Sequence, residues 1–362
     1  MNIDSESSLF ALVMAGGRGT RFWPESTKNK PKQYLNLTGG ESLLSRTLGR
    51  FTSLVGPENR YIVTVKEQEE LALHNSTGLI SEKGLIFEPS GRNTAPCILL
   101  SLAFLEKQGV KGSDVVAIVP SDHVILNETG FRTTLKVAAE TAIKESSIVT
   151  IGIRPNFPHT GYGYIHRGEE IAEDVFKVNQ FKEKPNFALA KSYVSAGEYF
   201  WNAGMFVSTL KTLKEEFQSC SPETYKYYSQ LKLSLDDEEE LKTVYNQIPK
   251  ESIDYAIMEK SGRVHVVAAD FDWNDLGSWD ALESVIRPIK DNTLIQTRDS
   301  FVKESKGNII YAPEKFVTLI GIDDLIVVSN DKSLVVIPKN RSQEIKEVVL
   351  EVSKNSDLED LL

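Results

Sequence analysis

The chain has 362 residues, of which 41 are Lys or Arg and 51 are Asp or Glu, giving a formal net charge of −10 at pH 7. This acidic balance argues against nucleic acid as a partner. Only Cys97 and Cys220 are present, so we expect neither a disulfide framework nor a zinc site. The N-terminus carries Asp4 and Glu6, and no segment approaches about 18 apolar residues. We therefore predict a cytoplasmic protein of two or three domains with no membrane partner.

An apolar run over residues 9–15, typical of a buried parallel strand, leads into a glycine-rich loop. Gly16, Gly17 and Gly19 let backbone N–H groups converge on an anion, because no Cβ stands in the way. Basic side chains follow, and they are Arg18, Arg21, Lys28, Lys30 and Lys32. This combination predicts a polyphosphate-binding loop. The alternative is a solvated basic turn with no ligand.

Two common phosphate motifs do not fit this loop. A dinucleotide fingerprint starting at Gly17 has Phe22 where its last glycine belongs. A P-loop closes with Gly-Lys-Ser or Gly-Lys-Thr, whereas this loop closes with Thr20, Arg21 and Phe22. The loop is therefore of another type.

The following segments alternate between helical and strand-like patterns. Residues 42–51 have helical spacing, and residues 61–65 and 85–87 are strand-like. This β-α-β rhythm predicts a Rossmann-like, mixed but mainly parallel sheet of the α/β class. Residues 88–96, EPSGRNTAP, should then leave a strand end and open a helix over residues 97–107. Ligands of such sheets bind there, although a polar loop with a cap at Asn93 or Thr94 would need no function.

Two acidic loops follow strand-like segments that are far apart in the sequence. Asp122 follows a predicted strand over residues 114–119, and Asp275 follows another over residues 264–268. A lone Asp after a strand is most often a turn or cap residue. A polyphosphate, however, needs a hard cation such as Mg²⁺, which one or two carboxylates hold together with phosphates and water. Neighbouring His123 is interpreted as structural.

The remaining pattern predicts two further parts. After a helix over residues 131–144 and a strand over 148–153, a second, antiparallel part begins near residue 159. Helices are predicted over residues 210–247 and 252–260, with the acidic run 236–240 forming a solvated loop and helix start. From residue 289 short β-rich segments alternate with turns. These segments predict a small β domain that ends in a frayed helix over residues 346–362.

Several motifs resemble known families, and together they span nearly the whole chain. Residues 16–21, GGRGTR, with Pro24, Pro31 and Lys32, resemble the signature of sugar-1-phosphate nucleotidylyltransferases. The loop 88–96 closely resembles that of mannose-1-phosphate guanylyltransferases in particular. Residues 181–185, FKEKP, and 201–206, WNAGMF, resemble the sugar-binding motifs of this family, and residues 317–339 resemble its C-terminal part.

The resemblance implies a domain organisation and an assembly. Residues 1–288 would form the nucleotidyltransferase domain, with a nucleotide half over about 1–150 and a sugar-phosphate half over about 151–288. Residues 289–362 would form a short parallel β-helix that supports a homodimer, since exposed β edges favour pairing. Larger bacterial relatives add a phosphomannose isomerase domain, and we expect no such activity here.

The resemblance also implies roles for individual residues. Arg21, Lys32 and Lys184 would be catalytic, with Arg21 and Lys32 on the nucleotide phosphates and Lys184 on the phosphate of the sugar. The implied nucleotide-binding residues are Ala15, Gly16, Gly17, Gly19, Thr20, Arg21, Lys32, Glu88, Asn93 and Ala95. The implied sugar-phosphate-binding residues are Gly161, Glu183, Lys184 and Asn202. Asp122 and Asp275 would hold Mg²⁺, and Asp272 is the competing acid in the second loop.

The implied reaction joins GTP and α-D-mannose 1-phosphate to give GDP-mannose and pyrophosphate by in-line attack. Two alternatives stay open. One is a nucleotidylyltransferase for another hexose 1-phosphate or another nucleotide, against which the loop 88–96 argues. The other is a regulatory subunit that binds GDP-mannose without turnover, against which the intact basic and acidic residues argue.

Overall fold

The structure is a computed structural model that describes residues 2–4, 7–17 and 19–362, with side chains from residue 7 onward. Arg18 of the predicted basic cluster lies outside the described residues.

One large sheet organises the first three quarters of the chain. Its strands are β1 (Asn2–Asp4), β2 (Ser7–Met14), β3 (Arg60–Val65), β4 (Leu85–Glu88), β5 (Val115–Pro120), β6 (Ile148–Ile153), β7 (Tyr164–Ala172), β8 (Val175–Lys182), β9 (Tyr199–Thr209) and β10 (Val264–Ala268). They follow the order β4-β3-β2-β5-β9-β6-β10-β8-β7, with β1 beside β2. Strands β2 to β5 pair in parallel, as do β6 and β10, whereas β9 runs antiparallel between β5 and β6. The predicted mixed α/β sheet is confirmed.

Helices cover both faces of this sheet. They are α1 (Leu43–Gly49), α2 (Glu69–Asn75), α3 (Thr94–Lys107), α4 (Glu128–Lys144), α5 (Phe187–Ala196), α6 (Leu210–Cys220), α7 (Pro222–Tyr225), α8 (Tyr228–Ser234), α9 (Glu238–Tyr245) and α10 (Ile345–Val352), of which α10 belongs to the C-terminal region. Helix α3 begins three residues before the predicted start because the Asn93 side chain accepts the N–H of Thr94. In the same way, the Asn127 side chain accepts the N–H of Gly130 and opens α4.

Strand β2 is buried on both faces, as its continuous apolar run predicts. Phe10 and Leu12 enter the core beneath α3, α6, α8 and α9. Ala11 and Val13 enter the opposite core, beneath α1, α2, α4 and α5. Full burial of a Leu or Val side chain contributes about 1.5–3 kcal/mol. The strand that leads into the glycine loop is therefore held firmly from both sides.

The C-terminal strands wind as a short parallel β-helix. They are β11 (Thr293–Ile295), β12 (Asp299–Lys303), β13 (Ile309–Tyr311), β14 (Phe316–Ile320), β15 (Leu325–Ser329) and β16 (Leu334–Pro338). Strands β11, β13 and β15 stack in parallel on one face, and β12 and β14 stack in parallel on another. Strand β16 closes the first face antiparallel to β15. The predicted β-helix is confirmed.

This β-helix shares a core with the loop that follows β2. Phe22 and Trp23 belong to one cluster with Trp279, Ile309 and Ile326. The indole N–H of Trp23 donates to the carbonyl of Leu361 at 2.8 Å. The C-terminal region therefore supports the glycine loop directly.

Two helical predictions differ from the structure. The segment 210–247 breaks into α6 to α9, because Pro222 and the capping side chain of Asp237 each begin a new helix. The segment 252–260 forms a five-residue π-helix, Asp254–Met258, in place of the predicted α-helix.

Among the described residues, no helix is both long and apolar enough to span a bilayer.

Candidate active site

The glycine loop packs closely against the chain that follows it. Gly19 has a φ of +60°, and a Cβ built there would lie 2.3 Å from Cβ of Lys32. Only glycine fits this position, because both the conformation and the space exclude a side chain. A Cβ on Gly16 would lie 3.3 Å from Oε1 of Glu88, whereas Gly17 has no neighbour within 4 Å.

Lys32 joins the two acidic loops. Its side chain is 7 % exposed, and Nζ lies 2.9 Å from Oδ2 of Asp122. The same Nζ donates to the backbone carbonyl of Asp275 at 2.5 Å. Burial raises the pKa of the Asp122 carboxyl, but the charge and hydrogen bond of Lys32, together with the charge of His123, hold this pKa below its ordinary value. Three residues that lie far apart in the sequence thus meet at one point.

A cavity of about 290 Å³ opens over this meeting point. Its lining residues are Gly19, Thr20, Arg21, Phe22, Lys32, Asp122, His123, Asp275, Leu276, Gly277 and Lys346. Arg21 donates weakly to the carbonyl of Gly277, at 3.4 Å. The predicted Gly19, Thr20, Arg21, Lys32, Asp122 and Asp275 all line this cavity, whereas Lys346 was not predicted.

Asp122 and Asp275 are the acids of this cavity that could hold a hard cation. The hydroxyl of Tyr162 donates to Oδ1 of Asp275 at 2.8 Å, and Oδ2 of Asp275 has no such partner within the described chain. No group of three or more His, Cys, Asp or Glu side chains in the described chain could enclose a metal. One or two carboxylates, completed by phosphates and water, are the usual protein ligands of Mg²⁺.

The competing acid, Asp272, has a structural role. Its carboxylate accepts the backbone N–H groups of Leu126 and Asn127, at 2.8 and 2.7 Å. These bonds fix the start of α4. His123 also makes a structural contact, because its Nδ1 accepts the indole N–H of Trp273 at 3.1 Å.

A second cavity, of about 200 Å³, adjoins the first, since His123 and Asp275 line both. The predicted Gly161, Glu183 and Asn202 lie here, together with Gly163 and Asp254. A Cβ on Gly163 would lie 2.5 Å from Oε2 of Glu183. Gly163, which received no separate role from the sequence, therefore makes room for the acid.

Lys184 lies beside this second cavity. Its Nζ donates to Oε1 of Glu183 at 2.8 Å, and its side chain is 60 % exposed. Its φ is +45°, and its backbone N–H donates to the carbonyl of Tyr162 at 3.2 Å. Burial alone would lower the pKa of Lys184, but the hydrogen bond and charge of Glu183 raise it above its ordinary value. The ammonium group thus stays charged and accessible to an anion.

Asp254 is the main acid that the sequence analysis missed. Burial, followed by the charge of Glu183, raises the pKa of Asp254 to about 6. Its residue type within an apolar segment was the available signal, but the pattern of residues 252–260 predicts only a packing helix.

The predicted nucleotide-binding residues of the loop 88–96 are Glu88, Asn93 and Ala95, and each makes different contacts. Glu88 is 4 % exposed, and its Oε2 accepts a short hydrogen bond from the hydroxyl of Tyr245. Burial raises the pKa of Glu88 to about 7, although hydrogen bonds from Tyr245 and Cys97 act in the opposite direction. Asn93 caps α3, and the backbone N–H of Ala95 donates to the carbonyl of Glu251 at 3.1 Å. Ala15 is buried, and its carbonyl accepts from Gln33 and Thr64.

Comparison with protein families agrees with this architecture. The family model for nucleotidyl transferases matches residues 10–292. A second model, for the beta-helix domain of mannose-phosphate isomerase and GMP-like proteins, matches residues 299–352. The match to the first model covers most of the chain.

Individual relatives point the same way. The chain is 35% identical to a mannose-1-phosphate guanylyltransferase of Salmonella muenchen over 95% of this chain and 73% of that one. It is 34% identical to a mannose-1-phosphate guanylyltransferase of Klebsiella pneumoniae over 96% of this chain and 74% of that one. A crystal structure described as mannose-1-phosphate geranyltransferase from Thermus thermophilus superposes with a TM-score of 0.87 at 35% identity, covering 96% of this chain and 99% of that one. The chain therefore belongs to the mannose-1-phosphate guanylyltransferase family of nucleotidyl transferases.

Proposed function

We propose that this chain transfers GMP from GTP to α-D-mannose 1-phosphate, which yields GDP-mannose and pyrophosphate. The observation that carries the proposal is the contact of Lys32 with both Asp122 and the Asp275 loop, beneath a cavity that adjoins a second polar cavity. Such a pair of cavities suits a reaction that brings two phosphorylated substrates together. The guanylyltransferase names of the relatives supply the choice of substrates.

We infer an in-line displacement, for which the two adjoining cavities bring the substrates together. In the proposed step, a phosphate oxygen of mannose 1-phosphate attacks the α-phosphorus of GTP. Lys184 lies near the mannose 1-phosphate, and Lys32 and Arg21 contact the phosphates of GTP. The bond from this phosphorus to the bridging oxygen of the β-phosphate breaks, and pyrophosphate leaves with its electron pair. No proton transfer and no covalent enzyme intermediate are needed, so positioning and charge neutralisation supply the rate enhancement.

Asp122 and Asp275 are the residues proposed to hold Mg²⁺. A Mg²⁺ ion held there would supply positive charge that neutralises the negative charge of the phosphates. Lys32 contacts both loops and keeps the two acids together, and Tyr162 orients the carboxylate of Asp275.

A coupled pyrophosphate-release assay tests the proposal. GTP, ATP, UTP and dTTP are each combined with mannose, glucose and N-acetylglucosamine 1-phosphate, and kcat/KM is measured for each pair. We expect GTP with mannose 1-phosphate to give the highest value. Preference for another pair would contradict the substrate assignment, and binding of GDP-mannose without turnover would favour a regulatory subunit.

We further propose a cytoplasmic homodimer joined through the β-helix. Phe301, Phe316 and Ile320 lie on the exposed face of paired strands β12 and β14, and each is at least 49 % exposed. An exposed face that carries three large apolar side chains suits association with a second copy. Sedimentation velocity of Phe316→Glu should show a monomer, and an unchanged dimer would exclude this face.

The cysteines support the cytoplasmic location, because both are free thiols, which suits a reducing compartment.

A further inference from the structure

The cavity of about 290 Å³ that contains Arg21 and Lys32 is called the phosphate cavity below. Lys346 reaches it from the C-terminal region. It is the second residue of α10, which packs against the turn Thr20–Phe22 of the glycine loop. The preceding residue, Ile345, is 2 % exposed and belongs to the same core cluster as Phe22. This anchor holds Lys346 at the rim of the cavity, where it joins Arg21 and Lys32.

The same segment is also tied to the loop that carries Asp275. The side-chain amide of Gln343 donates to Oγ of Ser278 at 2.6 Å. Nearby, Nζ of Lys339 contacts Glu283 at 3.1 Å. The start of α10 is thus fixed between the glycine loop and the second acidic loop, so the position of Lys346 depends on both.

The cavity holds more positive charge than its acids neutralise. Lys32 pairs with Asp122, but in the described part of the chain neither Arg21 nor Lys346 forms an ion pair. Burial and then the positive charge of Arg21 lower the pKa of Lys346. Two cations without a carboxylate between them repel each other, and a polyanion bound between them would relieve that repulsion.

We propose that Lys346 binds the β- and γ-phosphates of the nucleoside triphosphate and the pyrophosphate that they become. This inference rests on the proposed function, and it makes the C-terminal region part of the phosphate site. When the bond between the α-phosphorus and the bridging oxygen breaks, that oxygen leaves with the β-phosphate and negative charge builds up on the leaving group. The ammonium group of Lys346 stabilises that charge without giving up a proton.

The test compares Lys346→Ala with Lys346→Arg, and with Lys354→Ala as the matched control. Lys354 is exposed and pairs with Glu351 just beyond α10, outside the cavity. Kinetics are measured in both directions, with GTP and mannose 1-phosphate, and with GDP-mannose and pyrophosphate. Titration calorimetry with inorganic pyrophosphate gives a binding constant that does not depend on turnover.

We expect Lys346→Ala to raise the KM for GTP and for pyrophosphate about tenfold, as the loss of one charged hydrogen bond predicts. The KM for mannose 1-phosphate and for GDP-mannose should stay within about twofold of the original value. Lys346→Arg should restore most of the loss, and Lys354→Ala should behave as the unchanged protein. The Tm of every variant should stay the same, because Lys346 lies at the surface.

Unchanged pyrophosphate affinity in Lys346→Ala would overturn the proposal, as would an equal loss for all four substrates. The proposed function has its own separate outcome. If the unchanged protein makes no GDP-mannose but binds pyrophosphate through Lys346, the phosphate role stands and the reaction assignment fails.

Discussion

The side-chain amide of Asn202 donates a 3.0 Å hydrogen bond to Oδ1 of Asp254. The amide oxygen of Asn202 meanwhile accepts from the hydroxyl of Thr150 and the N–H of Gly204, at 2.9 and 3.1 Å. Asn202 therefore has a fixed orientation, with one N–H left for a ligand. The acid that fixes it is buried near Glu183, and burial together with the charge of Glu183 raises its pKa.

We predict that Asp254→Asn stabilises the protein at neutral pH. A carboxyl whose pKa rises on folding, here to about 6, holds its proton more tightly in the folded state. Stability therefore falls as pH rises from about 4 to about 6, and the full penalty applies above that range. The variant should gain on the order of 1–2 kcal/mol in urea unfolding near pH 7.5 and nothing near pH 4. Glu173→Gln, at an exposed turn, is the control. If the stability of Asp254→Asn showed the same pH dependence as that of the unchanged protein, the prediction would be wrong.

We predict that Asp122→Asn and Asp275→Asn each lower kcat by about a hundredfold or more and weaken the dependence on magnesium. Both acids line the phosphate cavity, so the fold should persist. Asp272→Asn is the matched control from the same loop. It should cost about 1 kcal/mol of stability through the weakened hydrogen bonds to the backbone just before α4, with nearly normal magnesium dependence. Normal activity in either of the first two variants would remove that residue from the metal site.

Lys184→Ala should raise the KM for mannose 1-phosphate about tenfold while the KM for GTP changes little. The reason is that Lys184 lies beside the second cavity, where its ammonium group pairs with Glu183 but is exposed enough to meet a phosphate. Steady-state kinetics with each substrate varied in turn measure the effect. Lys182→Ala, which removes a lysine paired with Glu259, is the control. A selective loss of GTP affinity would reverse the assignment.

Glu88→Gln should lower the preference for GTP over dTTP and UTP by about one to two decades in kcat/KM. An ionised carboxylate accepts the N1–H and N2–H₂ donors of guanine together, whereas an amide cannot. Because the pKa of Glu88 is raised to about 7, the free enzyme loses the ionised form below that pH. The KM for GTP should therefore rise as the pH falls below about 7. Unchanged nucleotide ratios would show that Glu88 only supports Tyr245 and the glycine loop.

Gly19→Ala should abolish most activity, with a loss of about a hundredfold in kcat/KM for GTP. The new methyl group would meet Cβ of Lys32 at 2.3 Å and would also be strained by the φ of +60°. Displacement of Lys32 would separate it from Asp122. Gly262→Ala is the control, because no atom lies within 4 Å of its Cβ position and it lies outside both cavities. Equal activities of the two variants, measured by pyrophosphate release, would contradict this.

The sequence predicted the fold where one physical signal dominated. The apolar run before Gly16 is typical of a strand buried on both sides, and Ile148–Ile153 and Val264–Ala268 match their predicted strands at both ends. The family motifs supplied the cavity residues Arg21, Lys32, Asp122 and Asp275, which the structure brings together.

The sequence could not predict residues whose role depends on tertiary contacts. Lys346 looks like any lysine on an amphipathic helix until α10 is placed against the glycine loop. Asp254 looks like a helix-surface acid, and only the approach of Asn202 and Glu183 gives it an unusual environment. Gly163 likewise lacks a signal of its own, because its need for space arises from Glu183, which comes much later in the chain.

Phe22 and Trp23 are translated early, but the hydrophobic core in which they pack also contains Trp279, Ile309 and Ile326. Translation runs from the N-terminus, so the glycine loop emerges long before its packing partners exist. The large sheet is complete only once β10 has been made, and the core around Phe22 and Trp23 needs residues that come later still. Each new molecule thus gains a competent phosphate site only near the end of its synthesis, and incomplete chains that lack the β-helix would not turn over GTP.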